Sequence, residues 1–225
     1  LCRDAQQGLR EDLKILIMSA TLDGEPLAKL LNAPLLSSEG RSYPVTVHYA
    51  KQENNHIIDA TAATVRRALQ ETEGDILAFL PGAGEITRCL ESLKTIRNID
   101  IRPLYGNLPY SAQEEAIKPG KQRKVVLATN IAETSLTIEG VRVVVDSGYA
   151  RQPRFDPCSG LTRLEKVRIS QASAVQRTGR AGRLGPGTCY RLWSQGTQGS
   201  LLPFTPPEIR NADLAPLVLE MANWG

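Results

Sequence analysis

"KVVLATNIAETSLTIEGVRVVVDSG", residues 124–148, sets two unbroken aliphatic runs on either side of a polar stretch. Runs of this length without polar alternation suit strands covered on both faces, as in the middle of a parallel sheet. "LKILIMSA" (13–20) and "DILAFLP" (75–81) read the same way. Around them, "NHIIDATAATVRRALQETEG" (55–74) and "GEITRCLESLKTIR" (84–97) have helical spacing, with Gly74 as a helix stop. "SAQEEAI" (111–117) opens with a capping-box pattern, Ser111 to Glu114. Strand alternating with helix predicts an α/β fold, a mostly parallel sheet with helices on both faces.

Two stretches depart from that rhythm. Residues 149–170 have no helical period and read as two strands around "DPCSG", a β-hairpin projecting from the sheet. After residue 195 the chain is loop-like until "ADLAPLVLEMANW" (212–224), which reads as a helix of a following domain. "SEGRSYPVTVHY" (38–49) shows no helix and reads as an interdomain linker. The chain begins at Leu1 without a methionine, and a piece of something longer is expected. No apolar run reaches the roughly 20 residues of a membrane helix. Cys2, Cys89, Cys158 and Cys189 lie far apart with no CxxC, so no metal site and a reducing, cytoplasmic setting are expected.

The net charge of +3 hides an asymmetry: residues 149–194 carry nine Lys/Arg against Asp156 and Glu165. Concentrated positive charge points to a polyanion, against the plainer possibility of a solvated basic face. Within that segment "AVQRTGRAGRLGPG" (174–187) reads as a helix over 173–183, capped by Ser173 with Gln176. At about 100° per residue, Gln176, Arg180 and Arg183 fall within roughly 60° of one another and Arg177 stands to the side. Gly179, Ala181 and Gly182 keep that surface low enough for a phosphate to approach. Guanidinium is always charged and matches phosphate oxygens in pairs.

"QRTGRAGR" (176–183) resembles motif VI of superfamily 2 helicases, in the form typical of the DEAH-box group. "TNIAETSLTIEGVRVVVDSG" (129–148) resembles motif V with the strand after it, "SAT" (19–21) motif III and "FLPG" (79–82) motif IV. "PLYGNLPYSAQEEAI" (103–117) resembles the segment that follows motif IV. They occur in the family's order and span most of the chain. The resemblance implies two facing RecA-like domains, with ATP and Mg²⁺ in the cleft and single-stranded nucleic acid, RNA in the first place, across the top. The P-loop and DExH site belong to the first such domain, and neither pattern is in this sequence. Residues 1–43 would be the tail of the first RecA-like domain and a linker, 44–195 the second RecA-like domain, and 196–225 the start of a winged-helix region.

By the same resemblance, Arg180 and Arg183 match arginine fingers that reach the γ-phosphate, and Gln176 would stand near it or near the attacking water. Arg177 would be structural, pairing within the domain. Ser135, Thr137 and Glu139 would face the nucleotide. Thr129 and Asn130, with Gly82 of motif IV, would contact nucleic-acid phosphates. Ser19 and Thr21 would couple the two domains. The basic hairpin could wedge between bound bases or buttress the sheet. Pro81 replaces a threonine common in motif IV, and Ile117 replaces an adenine-stacking phenylalanine of several relatives, which would loosen nucleotide selectivity. The other readings left open are a non-catalytic nucleic-acid or protein-binding module on the same fold, and a DNA-directed helicase of the same superfamily.

Overall fold

In the computed structural model, which describes residues 2–18, 24–36, 43–54, 56–134 and 136–224, the chain divides into two units, Leu1–Gly40 and Arg41–Gly225. The first unit holds α1 (Cys2–Gly8) and α2 (Gly24–Leu31). The strand expected over 13–20 does not form through residue 18, and Leu16 and Met18 are 78% and 82% exposed. A strand needs a neighbour to bond its backbone, and the described residues of this unit supply none.

The second unit runs β1 (Val45–Tyr49), α3 (Ile57–Glu71), β2 (Asp75–Phe79), α4 (Ala83–Leu93), β3 (Asp100–Leu104), α5 (Tyr110–Ile117), β4 (Lys124–Ala128), α6 (Ile131–Thr134) and β5 (Val141–Asp146). It continues with β6 (Tyr149–Asp156), β7 (Leu161–Arg168), α7 (Gln171–Gly179), β8 (Gly187–Arg191), α8 (Gln195–Ser200) and α9 (Ala215–Trp224). Six strands form one parallel sheet in the order β1-β8-β5-β2-β4-β3. β6 and β7 form the expected antiparallel hairpin, in register from Tyr149 opposite Arg168 to Asp156 opposite Leu161.

Side chains alternate across the sheet with a period of two. Ile76, Ala78, Val125, Leu127, Val143 and Val145 pack with Val65 of α3 and Ile86 of α4. Their neighbours Leu77, Phe79, Val126, Ala128 and Val144 pack with Ala116 of α5, Ala132 of α6 and Ala181. Both sets are buried, which is why these strands read as unbroken apolar runs.

Three local expectations change. The segment 38–49 is not all linker, because β1 pairs with β8 at the sheet edge. Ser111 does not cap α5: Pro109 occupies that position, and no side chain bonds the first turn. α3 ends at Glu71 with Thr72 extended. Gly74 instead takes φ +80° in the turn beyond, where a Cβ would lie 2.3 Å from Cγ of Arg142.

Two cations at the start of β4, Arg123 just before the strand and Lys124 its first residue, close helix ends. Arg123 donates from Nε to the Gly74 carbonyl (2.6 Å) and from Nη1 to that of Leu69 (2.9 Å). Lys124 is wholly buried, and its ammonium donates to the carbonyls of Ala116 and Lys118 at the end of α5. Burial lowers its pKa from the usual lysine value. Among the described residues no helix is long and apolar enough to cross a membrane.

Candidate active site

The chain leaving β4 crosses over β2 to build β5, so the strand order reverses there. Open α/β sheets bind ligands outside the carboxyl ends of their strands at such a reversal. The segments expected to carry function leave from those ends. Thr129, half-buried just past β4, bonds the Leu104 carbonyl through its N–H (3.1 Å), and Asn130 beside it is exposed. Gly82 follows the adjacent β2, buried and extended at φ −162°, as the residue before α4. Arg151 lies over Gly82 and pairs with Glu85 at 3.1 Å.

The helix bearing the arginines starts earlier and stops sooner than its spacing predicts. Ser170 is the cap, its hydroxyl accepting from the Ser173 N–H at 3.1 Å. Ser173 instead donates its hydroxyl to Glu133 Oε1 (2.6 Å). α7 ends at Gly179, and Arg180–Gly182 form a tighter 3₁₀ turn, so one straight helical stripe does not carry Arg183.

Arg177 points inward and is 1% exposed. Its Nε donates to Glu133 Oε2 (2.9 Å) and its Nη1 to Asp146 Oδ1 (2.9 Å), with the head 4.7 Å from the Phe79 ring centre. Burial alone would lower its pKa, but the two carboxylates outweigh burial and raise it. Asp146 also accepts from the Gly148 N–H at 2.9 Å, which makes the end of β5 a structural ion cluster.

Arg180 and Arg183 both turn to α6 and the segment after it. Arg180 is 5% exposed; its Nε and Nη2 donate to the Glu133 carbonyl and its Nη1 to that of Leu136 at 2.6 Å. Burial, then the like charge of Arg183, push its pKa down to about 10, so it stays charged at neutral pH. Arg183 is exposed and donates from Nη1 to the Thr137 hydroxyl (2.9 Å). Gln176 is half-buried one residue before Arg177, and Glu139 is exposed. Ser135, Ser19 and Thr21 lie outside the described residues. The structure therefore brings Arg180, Arg183 and Thr137 together, with Thr129 and Asn130 at the start of the same loop.

The small residues between the arginines serve the domain's own main chain. Ala181 and Gly182 are buried, and a Cβ on Gly182 would sit 2.6 Å from the Tyr43 carbonyl oxygen. Gly179, by contrast, has open space around its Cβ position.

Acids from outside the basic segment neutralise much of it. Glu133 and Asp146 meet Arg177, Glu85 meets Arg151, and Glu53 meets Arg168. Among the described residues, Arg180 and Arg183 have no carboxylate within ion-pair distance. Two adjacent guanidiniums without a carboxylate at ion-pair distance, beside a hydroxyl, favour an anionic ligand. Among the same residues no acidic or thiol cluster could hold a metal ion. Glu133 escaped the sequence reading, since no local pattern signals a carboxylate bonding across 44 residues of chain.

The hairpin base is tied down by Glu53, which accepts from Arg168 and from the Thr197 hydroxyl of α8. The Thr197 bond first, and Arg168 with it, lower the Glu53 pKa. A depressed carboxylate contributes stability above its unfolded pKa and loses it as pH falls through the folded value. Glu53→Gln should therefore raise hydrogen exchange in α8 and the hairpin base at pH 7. In the wild-type chain the same loosening should begin as pH falls below roughly 4. Unchanged exchange in the variant would exclude Glu53 as the tie.

Comparison with known proteins identifies the family. Residues 59–185 match the helicase conserved C-terminal domain family. The chain is 49% identical over its whole length to the ATP-dependent RNA helicase HrpB of Escherichia coli (strain K12), spanning 29% of that protein. It is 43% identical over 96% of its length to the pre-mRNA-splicing factor ATP-dependent RNA helicase prp22 of Schizosaccharomyces pombe, spanning 20% of it. The crystal structure of the Escherichia coli DEAH/RHA helicase HrpB superposes with a TM-score of 0.92 over 99% of this chain and 29% of that one. The fold is thus RecA-like, and the chain belongs to the helicase conserved C-terminal domain family, in its DEAH-box group.

Proposed function

We propose that this chain is the second RecA-like domain of an ATP-dependent DEAH-box RNA helicase, acting on a nucleotide held mainly by the first RecA-like domain. The observation that carries the reading is the convergence of Arg180 and Arg183 on Glu133, Leu136 and Thr137, with no carboxylate among the described residues within ion-pair distance of either guanidinium. ATP and Mg²⁺ belong in the cleft, with the Mg²⁺ ligands on the other domain. Arg183, with Arg180 behind it, supplies positive charge to the transferring phosphoryl group. Gln176, one residue before Arg177 on α7, positions the attacking water, while Thr137, Ser135 and Glu139 face the nucleotide. Thr129, Asn130 and Gly82, at the ends of adjacent strands, contact phosphates of single-stranded RNA, which positions the strand without reading bases. Ser19 and Thr21 couple the domains. The segments 1–43, 44–195 and 196–225 are the tail of the first RecA-like domain with its linker, the second RecA-like domain, and the start of a winged-helix region.

The test uses the intact protein: ATP hydrolysis stimulated by single-stranded RNA, and unwinding of RNA against DNA duplexes. RNA binding without hydrolysis would turn the assignment into a non-catalytic binding module, and better DNA unwinding would reassign the substrate. RNA affinity should fall by roughly tenfold or more between 50 and 200 mM salt, because phosphate contacts release counterions. Affinity indifferent to salt would remove the phosphate contacts.

A further inference from the structure

Arg191 ends β8 and is 6% exposed, yet among the described residues no carboxylate lies within ion-pair distance of it. Its guanidinium is held by neutral acceptors on three elements. Nη1 donates to the Tyr49 hydroxyl at the end of β1 (2.7 Å) and to Gln198 Oε1 in α8 (2.9 Å). Nη2 donates to Thr178 Oγ1 (3.1 Å) and to the Ala174 carbonyl (3.4 Å), one turn apart on α7. The head lies 5.3 Å from the Tyr49 ring centre and 5.6 Å from that of Trp193, and Nε is buried without a partner.

A buried cation without a counter-charge is a poor way to gain stability, and an apolar side chain of similar volume often does better. What the guanidinium adds is a rigid planar fork, each arm tied to acceptors on different elements. The fork fixes how far α7 stands from β1 and α8. On another side of the same helix, Arg177 ties α7 to α6 and β5. Its first turn is pinned as well, by the Gln171 N–H on the Leu202 carbonyl (2.8 Å) and the Ala172 N–H on that of Pro203 (3.1 Å). α7 can then neither rotate nor slide, and the turn carrying Arg180 and Arg183 follows directly from it.

We propose that Arg191 is a positioning residue for ATP hydrolysis: by fixing the rotation and depth of α7 it sets where Arg180 and Arg183 meet the nucleotide. This rests on the reading that those two arginines act on ATP. Arg191 itself touches neither ATP nor RNA.

The test is made in the intact protein with Arg191→Lys, which keeps charge and most of the bulk but loses the fork, and with Thr178→Val, which removes one acceptor on α7. Each should lower kcat, the lysine variant by about tenfold or more, because small misplacements of reacting groups are costly. KM for ATP should stay within about threefold, because the nucleotide is held elsewhere. In an Arg183→Ala background, Arg191→Lys should cost clearly less than in the wild type, since one of the two groups it aims is already gone. Wild-type kcat in folded Arg191→Lys, or the same proportional loss in both backgrounds, would overturn the proposal in favour of a packing role. If Arg191→Lys does not fold, Thr178→Val decides, and wild-type kcat there is the overturning result. Wild-type turnover in Arg183→Ala alone would instead remove the reading beneath, whatever Arg191 does.

Discussion

Arg183→Ala in the intact enzyme is expected to lower ATP turnover by about 10³-fold or more while ATP binding changes little. The side chain is exposed and among the described residues makes a single hydrogen bond, to the Thr137 hydroxyl, so its removal leaves the fold unburdened. A surface change of that kind shifts stability by no more than about 0.5 kcal/mol. The loss should therefore appear in kcat and leave melting and nucleotide affinity alone, measured by steady-state hydrolysis beside equilibrium binding of a fluorescent nucleotide. Arg180→Ala should behave differently. Its guanidinium holds the carbonyls of Glu133 and Leu136, so that variant should also disturb the loop that begins at Thr129 and weaken RNA binding. Wild-type turnover in Arg183→Ala would defeat the assignment of this side chain to the phosphate.

The second large effect is on stability. Arg177→Ala strips the counter-charge from Asp146, which is 0% exposed, and leaves Glu133 at 14% without its partner. Breaking a buried ion pair from one side costs about 3–5 kcal/mol. For a domain of this size each kcal/mol moves Tm by roughly 2–4 °C, so Tm should fall by about 6–20 °C. Adding Asp146→Asn removes the stranded charge, and the double variant should melt above Arg177→Ala alone. Equal melting of Arg177→Ala and wild type by calorimetry would show that the cluster contributes nothing to folding.

How legible each element was in the sequence depended on what covers it. β2, β4 and β5 lie in the middle of the sheet, apolar on both faces, and announced themselves as unbroken runs. β1 and β3 are the two edges; their alternating or half-buried residues, with Pro103 in one, left no such run. β8 is central, but Gly187 and Thr188 open it and the buried Arg191 closes it, so no apolar run forms, and a charge in the core is visible only through partners far away in sequence. The strand expected at 13–20 has the right composition, and among the described residues of its unit nothing lies beside it to bond. At the site, the resemblance to motifs V and VI led to Arg180, Arg183 and Thr137, which the structure does bring together. It could not show that Arg180 rests on main-chain carbonyls. Nor could it show that Glu133 and Asp146 reach into the basic segment, because composition within a window says nothing about acids folded in from outside it.

Gly182 joins two of these threads. Its carbonyl accepts the Tyr43 N–H at 2.8 Å, and nothing larger than hydrogen fits between the two backbones. The main chain leading into β1 is thus stitched to the turn that presents both guanidiniums. Tension applied along that lead-in arrives at the arginines as a mechanical load, with no side chain in between to absorb it.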